Sequence, residues 1–164
     1  MLISEKAFTS VVVISSGIAA TPIARWKVGG DLNDMLLATL RSVKKKYKVT
    51  HIIWHQGESD FPNTTSQSYV ESFQSLRHSL HNLNINSPIY SAIATKCGPN
   101  EHWSEDNPTA LGQMELIDNK NIFLGANTDK LLLEQDRKSD QCHLSESGQI
   151  KTAKSYATAI INSF

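Results

Sequence analysis

Two short stretches carry the side chains best suited to acid–base chemistry. In HQGESD, at 55–60, Gln56 and Glu58 follow directly after an apolar run, and in SDQCH, at 139–143, Asp140 lies three residues before His143. In a turn, this spacing brings a carboxylate within reach of one imidazole nitrogen, which fixes the tautomer and leaves the other nitrogen as a general base. The amide of Gln56 is suited to stabilise a developing oxyanion, and Glu58 to orient a histidine or act as a base.

Each stretch also has a structural interpretation. An Asp and a His three residues apart are common by chance, and the segment before the last helix then serves as a cap through Ser145 or Ser147. Gln56 would bond to neighbouring backbone, and Glu58 would be a solvated loop carboxylate. The functional interpretation therefore requires that Gln56 and His143 open onto one shared pocket.

The hydrophobic pattern predicts alternating strands and helices. Strands are predicted at 11–15, 49–54, 88–94 and 121–126. Helices are predicted at 31–47, with Asp31 as the cap, at 109–118 and at 146–163. A further helix is predicted after the polar loop, with Tyr69, Phe73, Leu76 and Leu80 on one face. This alternation favours a parallel α/β sheet covered on both faces, with ligands beyond the carboxyl ends of the strands. The loops SSGIAAT, HQGESD, TKCGPN and the segment up to DQCH should then lie together.

Length and composition indicate the general class. The 164 residues suit one domain over 1–164, and 16 basic residues balance 16 acidic ones, so we expect neither a nucleic acid nor a membrane as partner. No apolar stretch is long enough for a signal-peptide core or a membrane span, which makes the cytoplasm the default location. Cys97 and Cys142 allow at most one disulfide and lack the spacing of a metal site.

A resemblance to a known family rests on three blocks. Trp54, Gln56, Gly57, Glu58 and Ser59 match a Trp-x-Gln-Gly-Glu-Ser block, and Asp140 and His143 match a terminal Asp-x-x-His block. Both blocks resemble the SGNH hydrolase superfamily, in its sialate O-acetylesterase-like branch that includes acetylxylan esterases. Thr21, Ile23 and Trp26 fit a third block, in which Ala19 and Ala20 replace the usual glycines. The resemblance runs from about residue 11 to the C-terminus.

The resemblance implies a flavodoxin-like three-layer α/β/α sandwich and removal of acetyl groups from carbohydrates of the sialic acid or xylan type. His143 would deprotonate a serine and then protonate the departing sugar oxygen, with Asp140 to orient it. Gln56 would help to hold the oxyanion, and Glu58 would share the orienting role. This chemistry needs no cofactor and no metal.

The nucleophile is the point at which the chain departs from the family. The family's serine lies in a Gly-Gln-Ser-Asn-like block after a first, central strand, and the ten residues before VVVIS contain no such block. This departure leaves three alternatives. The chain is part of a longer enzyme, or it is an inactive remnant or carbohydrate-binding domain, or it is a rearranged enzyme in which 11–15 takes the central place in the sheet. In the last case Ser15 or Ser16 is the nucleophile candidate; otherwise the pair only turns the chain at a strand end.

Two further residues are candidate substrate contacts. Trp103 lies in a long loop, where its ring would either stack on a sugar or anchor the loop. Thr21, in the block that resembles the family, is the second candidate.

Overall fold

The computed structural model describes residues 1–99 and 102–163. Its strands are β1 (Ile52–Trp54), β2 (Ile89–Ile93) and β3 (Ile122–Asn127). The helices are α1 (Asp31–Val43), α2 (Ser66–Asn82), α3 (Pro108–Glu115), α4 (Thr128–Leu131) and α5 (Glu146–Ile161), with 3-10 turns at Ile23–Arg25 and Glu134–Asp136. In the described part of the chain, no helix is both long enough and apolar enough to cross a membrane.

The three strands form one parallel sheet in the order β1-β2-β3. Ile89 of β2 lies opposite Ile52 of β1 on one side and Ile122 of β3 on the other. Helices α2 and α3 provide the crossovers that parallel neighbours need. The predicted α/β fold with a parallel sheet and flanking helices is confirmed.

Alternate residues of β2 face two separate cores. Ile89 packs with the aromatic and aliphatic side chains of α2, whereas Tyr90 packs with Tyr156 and Ile160 of α5. Because successive strand residues point to opposite faces, this division places helices on both sides of the sheet. The result is the three-layer arrangement.

Helices α2 and α5 begin at residues whose side chains cap them. The side chain of Thr65 accepts a hydrogen bond from the amide of Ser68 at the start of α2, and Ser145 accepts one from Gly148 at the start of α5. The predicted cap of α1 is wrong, since Gly30 occupies the cap position. Asp31 is instead the first helical residue, and its carboxylate lies 2.6 Å from the guanidinium of Arg25.

Strand β1 begins three residues later than predicted. The carbonyl of Val49, at the predicted start, accepts a hydrogen bond of 2.7 Å from the hydroxyl of Ser87 rather than from a neighbouring strand. The strand is thus reduced to the residues that pair with β2.

The strand predicted at 11–15 is not formed. Val13 is 82% exposed, and within the described ranges no backbone hydrogen bond joins 11–15 to β1. A cavity of about 540 Å³ lies between the two segments, lined by Val11–Ile14 on one side and by 50–56 on the other. The segment 11–15 therefore does not take the central place in the sheet, as the rearranged arrangement would require, and β1 is an edge strand.

Candidate active site

The loop after β1 packs closely against the middle of the molecule. The backbone carbonyl oxygen of Gln56 accepts hydrogen bonds from the side-chain amide of Gln113 in α3 (2.8 Å) and from the hydroxyl of Tyr69 in α2 (3.2 Å). Gly57 follows with φ +146°, and a Cβ there would overlap both the amide nitrogen of Gln113 and the carbonyl oxygen of Ala94. A glycine at this position therefore allows the loop to turn against α3 and the end of β2.

The side chain of Gln56 is buried and fully hydrogen-bonded. Its amide nitrogen donates to the carbonyl oxygen of Thr21 (2.9 Å) and to the carboxylate of Asp60, while its carbonyl oxygen accepts from Tyr69 (3.0 Å). Asp60, which is completely buried, also accepts from the backbone amide of Ile23 (2.9 Å). One amide hydrogen of Gln56 thus joins the loop after β1 to Thr21, and the other bonds within the loop to Asp60, which in turn holds the amide of Ile23.

Glu58 pairs with His55. One carboxylate oxygen of the half-buried Glu58 lies 3.4 Å from Nε2 of His55. Burial alone would raise the pKa of Glu58, but its hydrogen bond and electrostatic interaction with His55, together with the charge of Arg137, bring its pKa below the ordinary value. The carboxylate of Glu58 is therefore an ionised partner of His55.

Asp140 and His143 form the pair that the spacing predicted. Nδ1 of His143 donates to Oδ2 of Asp140 at 2.6 Å, and the backbone amides of Cys142 and His143 each donate to Oδ1 at 2.9 Å. The amide of Cys142, followed by the imidazole and the amide of His143, lowers the pKa of Asp140 to about 2. Because Nδ1 is occupied, Nε2 of the exposed imidazole is the nitrogen that can take a proton.

A disulfide connects this turn to the loop after β2. Cys97 and Cys142 are bonded across 45 positions of sequence, and the amide of Gly98 donates to the carbonyl of Gln141 at 3.2 Å. The single disulfide that the two cysteines permit therefore lies directly beside His143.

Two charged residues that sequence reasoning missed join the ends of the strands. The carboxylate of Asp129, at the start of α4, accepts from the hydroxyl of Thr95 (2.7 Å) and from the amide of Lys96 (3.0 Å). The guanidinium of Arg137 donates to the carbonyl of Lys96 (2.9 Å) and to that of Cys142 (3.1 Å). The bonds from Lys96 to Asp129 and from Arg137 to Lys96 span 33 and 41 positions, so no local spacing in the sequence could have indicated them.

Trp103 and Thr21 both have partners within the protein. The indole nitrogen of half-buried Trp103 donates to the hydroxyl of Thr95 (3.0 Å), and the ammonium of Lys96 lies 5.0 Å from the ring centroid. The hydroxyl of buried Thr21 donates to the carbonyl of Ile18 (2.8 Å) and accepts from the indole of Trp26 (3.0 Å). In this arrangement Trp103 anchors its loop and Thr21 fixes the chain before the first 3-10 turn.

The two serine candidates lie near Gln56. Ser15 is exposed, and Ser16 is half-buried and lines the cavity beside β1 together with Gln56 and His55. His143 is not among the residues that line that cavity, so this cavity is not the shared pocket of Gln56 and His143 that the functional interpretation requires. Across 1–99 and 102–163, neither serine is hydrogen-bonded to a histidine, and no cluster of three His, Cys, Asp or Glu residues is arranged to hold a metal ion.

Comparison with known proteins identifies the family. No curated protein matches the chain significantly. A family model described as carbohydrate esterase, sialic acid-specific acetylesterase, matches residues 1–162. With an α/β parallel sheet and nearly the whole length matched, the chain belongs to the sialic acid-specific acetylesterase family of carbohydrate esterases.

Proposed function

We propose that this domain is a serine-type esterase that removes O-acetyl groups from carbohydrates of the sialic acid or xylan type. The observation that carries the proposal is the 2.6 Å bond between Asp140 and His143, in a chain that belongs to a family of carbohydrate esterases. This bond holds the imidazole in the tautomer that a general base requires. An acetylated carbohydrate is accordingly the proposed substrate.

The mechanism begins at Nε2 of His143. With Nδ1 bonded to Asp140, Nε2 takes the proton of a serine hydroxyl as the oxygen attacks the acetyl carbonyl, and later gives it to the departing sugar oxygen. Because its pKa is about 2, Asp140 stays ionised at neutral pH and stabilises the imidazolium that forms. A water molecule activated in the same way then releases acetate from the serine.

The nucleophile and the oxyanion donor are proposed from two other segments, the one around Ser16 and the loop after β1. Ser16, with Ser15 as the alternative, is the candidate nucleophile because it lines the cavity that also reaches Gln56. Since His143 does not line this cavity, proton transfer requires the serine hydroxyl and Nε2 of His143 to approach each other. For Gln56 to stabilise the oxyanion, it must release one hydrogen from Thr21 or Asp60. Glu58 supports the site through His55, which is its partner at 3.4 Å.

Hydrolysis of an aryl acetate tests the proposal. Replacing His143 by Ala should lower kcat/KM by roughly 10²–10⁴-fold, the usual contribution of a general base. His78→Ala, which removes an exposed histidine from α2, is the matched control and should leave the rate unchanged. Hydrolysis by the wild-type chain no faster than in buffer, or equal rates for wild type and His143→Ala, would contradict the esterase assignment.

A second candidate function is that of a catalytically inactive, carbohydrate-binding domain. Two observations favour it: no serine bonds to His143 in the described part of the chain, and both amide hydrogens of Gln56 are already donated within the protein. Binding of an O-acetylated sialic acid, measured by NMR titration in a sample with no esterase activity, would support this second function over the first.

A further inference from the structure

Arg137 lies where three segments of the chain meet. Its guanidinium donates to the carbonyl oxygens of Lys96 (2.9 Å) and Cys142 (3.1 Å) through Nη1, and to that of Thr128 (3.3 Å) through Nη2. Lys96 follows β2, Thr128 follows β3, and Cys142 lies in the turn that carries His143. One side chain therefore holds the ends of two strands and the histidine turn together.

The backbone of Arg137 also forms the base of that turn. Arg137 pairs with Leu144 in an antiparallel bridge, and the next amide, that of Lys138, donates to the carbonyl of His143 at 2.7 Å. The turn 138–143 therefore begins and ends at the bridge between Arg137 and Leu144. The backbone of His143 is thus hydrogen-bonded to the residue that directly follows Arg137.

The chemistry of this position requires arginine. The side chain is only 7% exposed, so its charge is removed from most of the water that would otherwise solvate it. A buried cation is tolerated when its N–H groups find acceptors, and the planar fork of a guanidinium reaches several carbonyls at once. In Arg137 both Nη1 and Nη2 find acceptors, whereas Nε is buried without a partner among the described residues. A lysine ammonium is a single point and cannot span the same three acceptors.

We propose that Arg137 is a positioning residue of the esterase site, whose guanidinium fixes the turn 138–143, and with it His143, against the loops that follow β2 and β3. The catalytic part of this inference rests on the proposed function; the structural part does not. The positive charge of Arg137 also acts on Glu58, so that one residue influences both acid–base pairs of the site.

The test compares Arg137→Met with Lys138→Met. Both variants replace a cation by the same neutral side chain at adjacent positions, but the side chain of Lys138 is exposed and makes no ion pair among the described residues. Amide hydrogen exchange, followed by NMR, reports on the turn, because the amides of Cys142 and His143 bond to Asp140. We expect exchange of these two amides to be at least about tenfold faster in Arg137→Met and unchanged in Lys138→Met.

Two further measurements separate positioning from general stability. In Arg137→Met the carboxyl of Glu58 should titrate at a higher pH, and kcat for aryl acetate should fall at least about tenfold while KM changes less than about twofold. Arg137→Lys should keep the titration of Glu58 close to wild type and still loosen the turn.

Unchanged exchange at Cys142 and His143 in folded Arg137→Met would overturn the proposal. If Arg137→Met does not fold, the same readout is taken from Arg137→Lys, where unchanged exchange counts equally against it. If the wild-type chain has no esterase activity, the proposed function fails, while amide exchange still decides whether Arg137 fixes the turn.

Discussion

At the scale of single residues, Asp140 is kept ionised by the turn to which it belongs. Two backbone amides and the imidazole of His143 donate to its carboxylate, and they lower its pKa to about 2. The unfolded chain has no such donors, and an aspartate there has a pKa of about 3.9. The carboxylate therefore stabilises the fold above about pH 4, and this contribution is lost as the pH falls towards 2.

Replacing Asp140 by Asn makes this dependence measurable. We expect the variant to melt below wild type at neutral pH, and the difference in Tm to shrink as the pH falls from about 4 to about 2. Asp106→Asn, at an exposed aspartate, is the control and should follow wild type throughout. A difference in Tm that stays constant across this pH range would mean that the carboxylate does not hold the turn.

One of the two acid–base pairs of the site was predictable from its spacing in the sequence. Asp140 and His143 are three positions apart, so the spacing alone indicated their bond. Glu58 was expected to orient a histidine, which by the family resemblance is His143, but its partner in the structure is His55, also three positions away. Arg137 gave no signal at all, because its acceptors lie in separate segments brought together by the fold.

At the scale of elements, Gly57 determines how closely the loop after β1 approaches α3. A methyl group there would overlap the side chain of Gln113 and the carbonyl of Ala94, in a backbone conformation with φ +146°. Backbone strain of this kind costs about 1–3 kcal/mol, and the overlap adds to it. We therefore expect Gly57→Ala to lower the free energy of unfolding by at least about 2 kcal/mol in urea denaturation.

Gly17→Ala is the matched control for this substitution. No atom lies within 4 Å of a Cβ built at Gly17, so the change should stay within about 0.5 kcal/mol of wild type. Equal stabilities for Gly57→Ala and Gly17→Ala would show that the loop does not pack against α3 as described.

The helices were more predictable than the strands for a physical reason. In α2 the predicted face of Tyr69, Phe73, Leu76 and Leu80 is the buried face, since a helix forms its backbone hydrogen bonds within one segment. A strand depends on a neighbour, and its sequence does not say whether that neighbour is in place. VVVIS has the composition of a buried strand, yet it lies across a cavity from β1 and remains unpaired.

At the scale of the whole molecule, burial is concentrated on one part of the chain. Ile89 of β2 is 4% exposed and belongs to the larger core, whereas Val11, Val12, Val13 and Ile14 are all exposed. Stability should therefore come from the sheet and its helices, with little from the apolar segment beside the cavity. Strand β2 and the segment 11–15 are both rich in apolar residues, so composition does not distinguish them.

Truncating one side chain in each region tests this division. Ile89→Ala should lower the free energy of unfolding by about 2–5 kcal/mol, since it leaves a cavity between α2 and the sheet. Val13→Ala should change it by less than about 0.5 kcal/mol, because 82% of Val13 already faces water. A loss of more than about 1 kcal/mol for Val13→Ala in urea denaturation would mean that residues 11–15 are packed in solution. The cavity lined by Ser16 and Gln56 would then be at least partly filled by this segment.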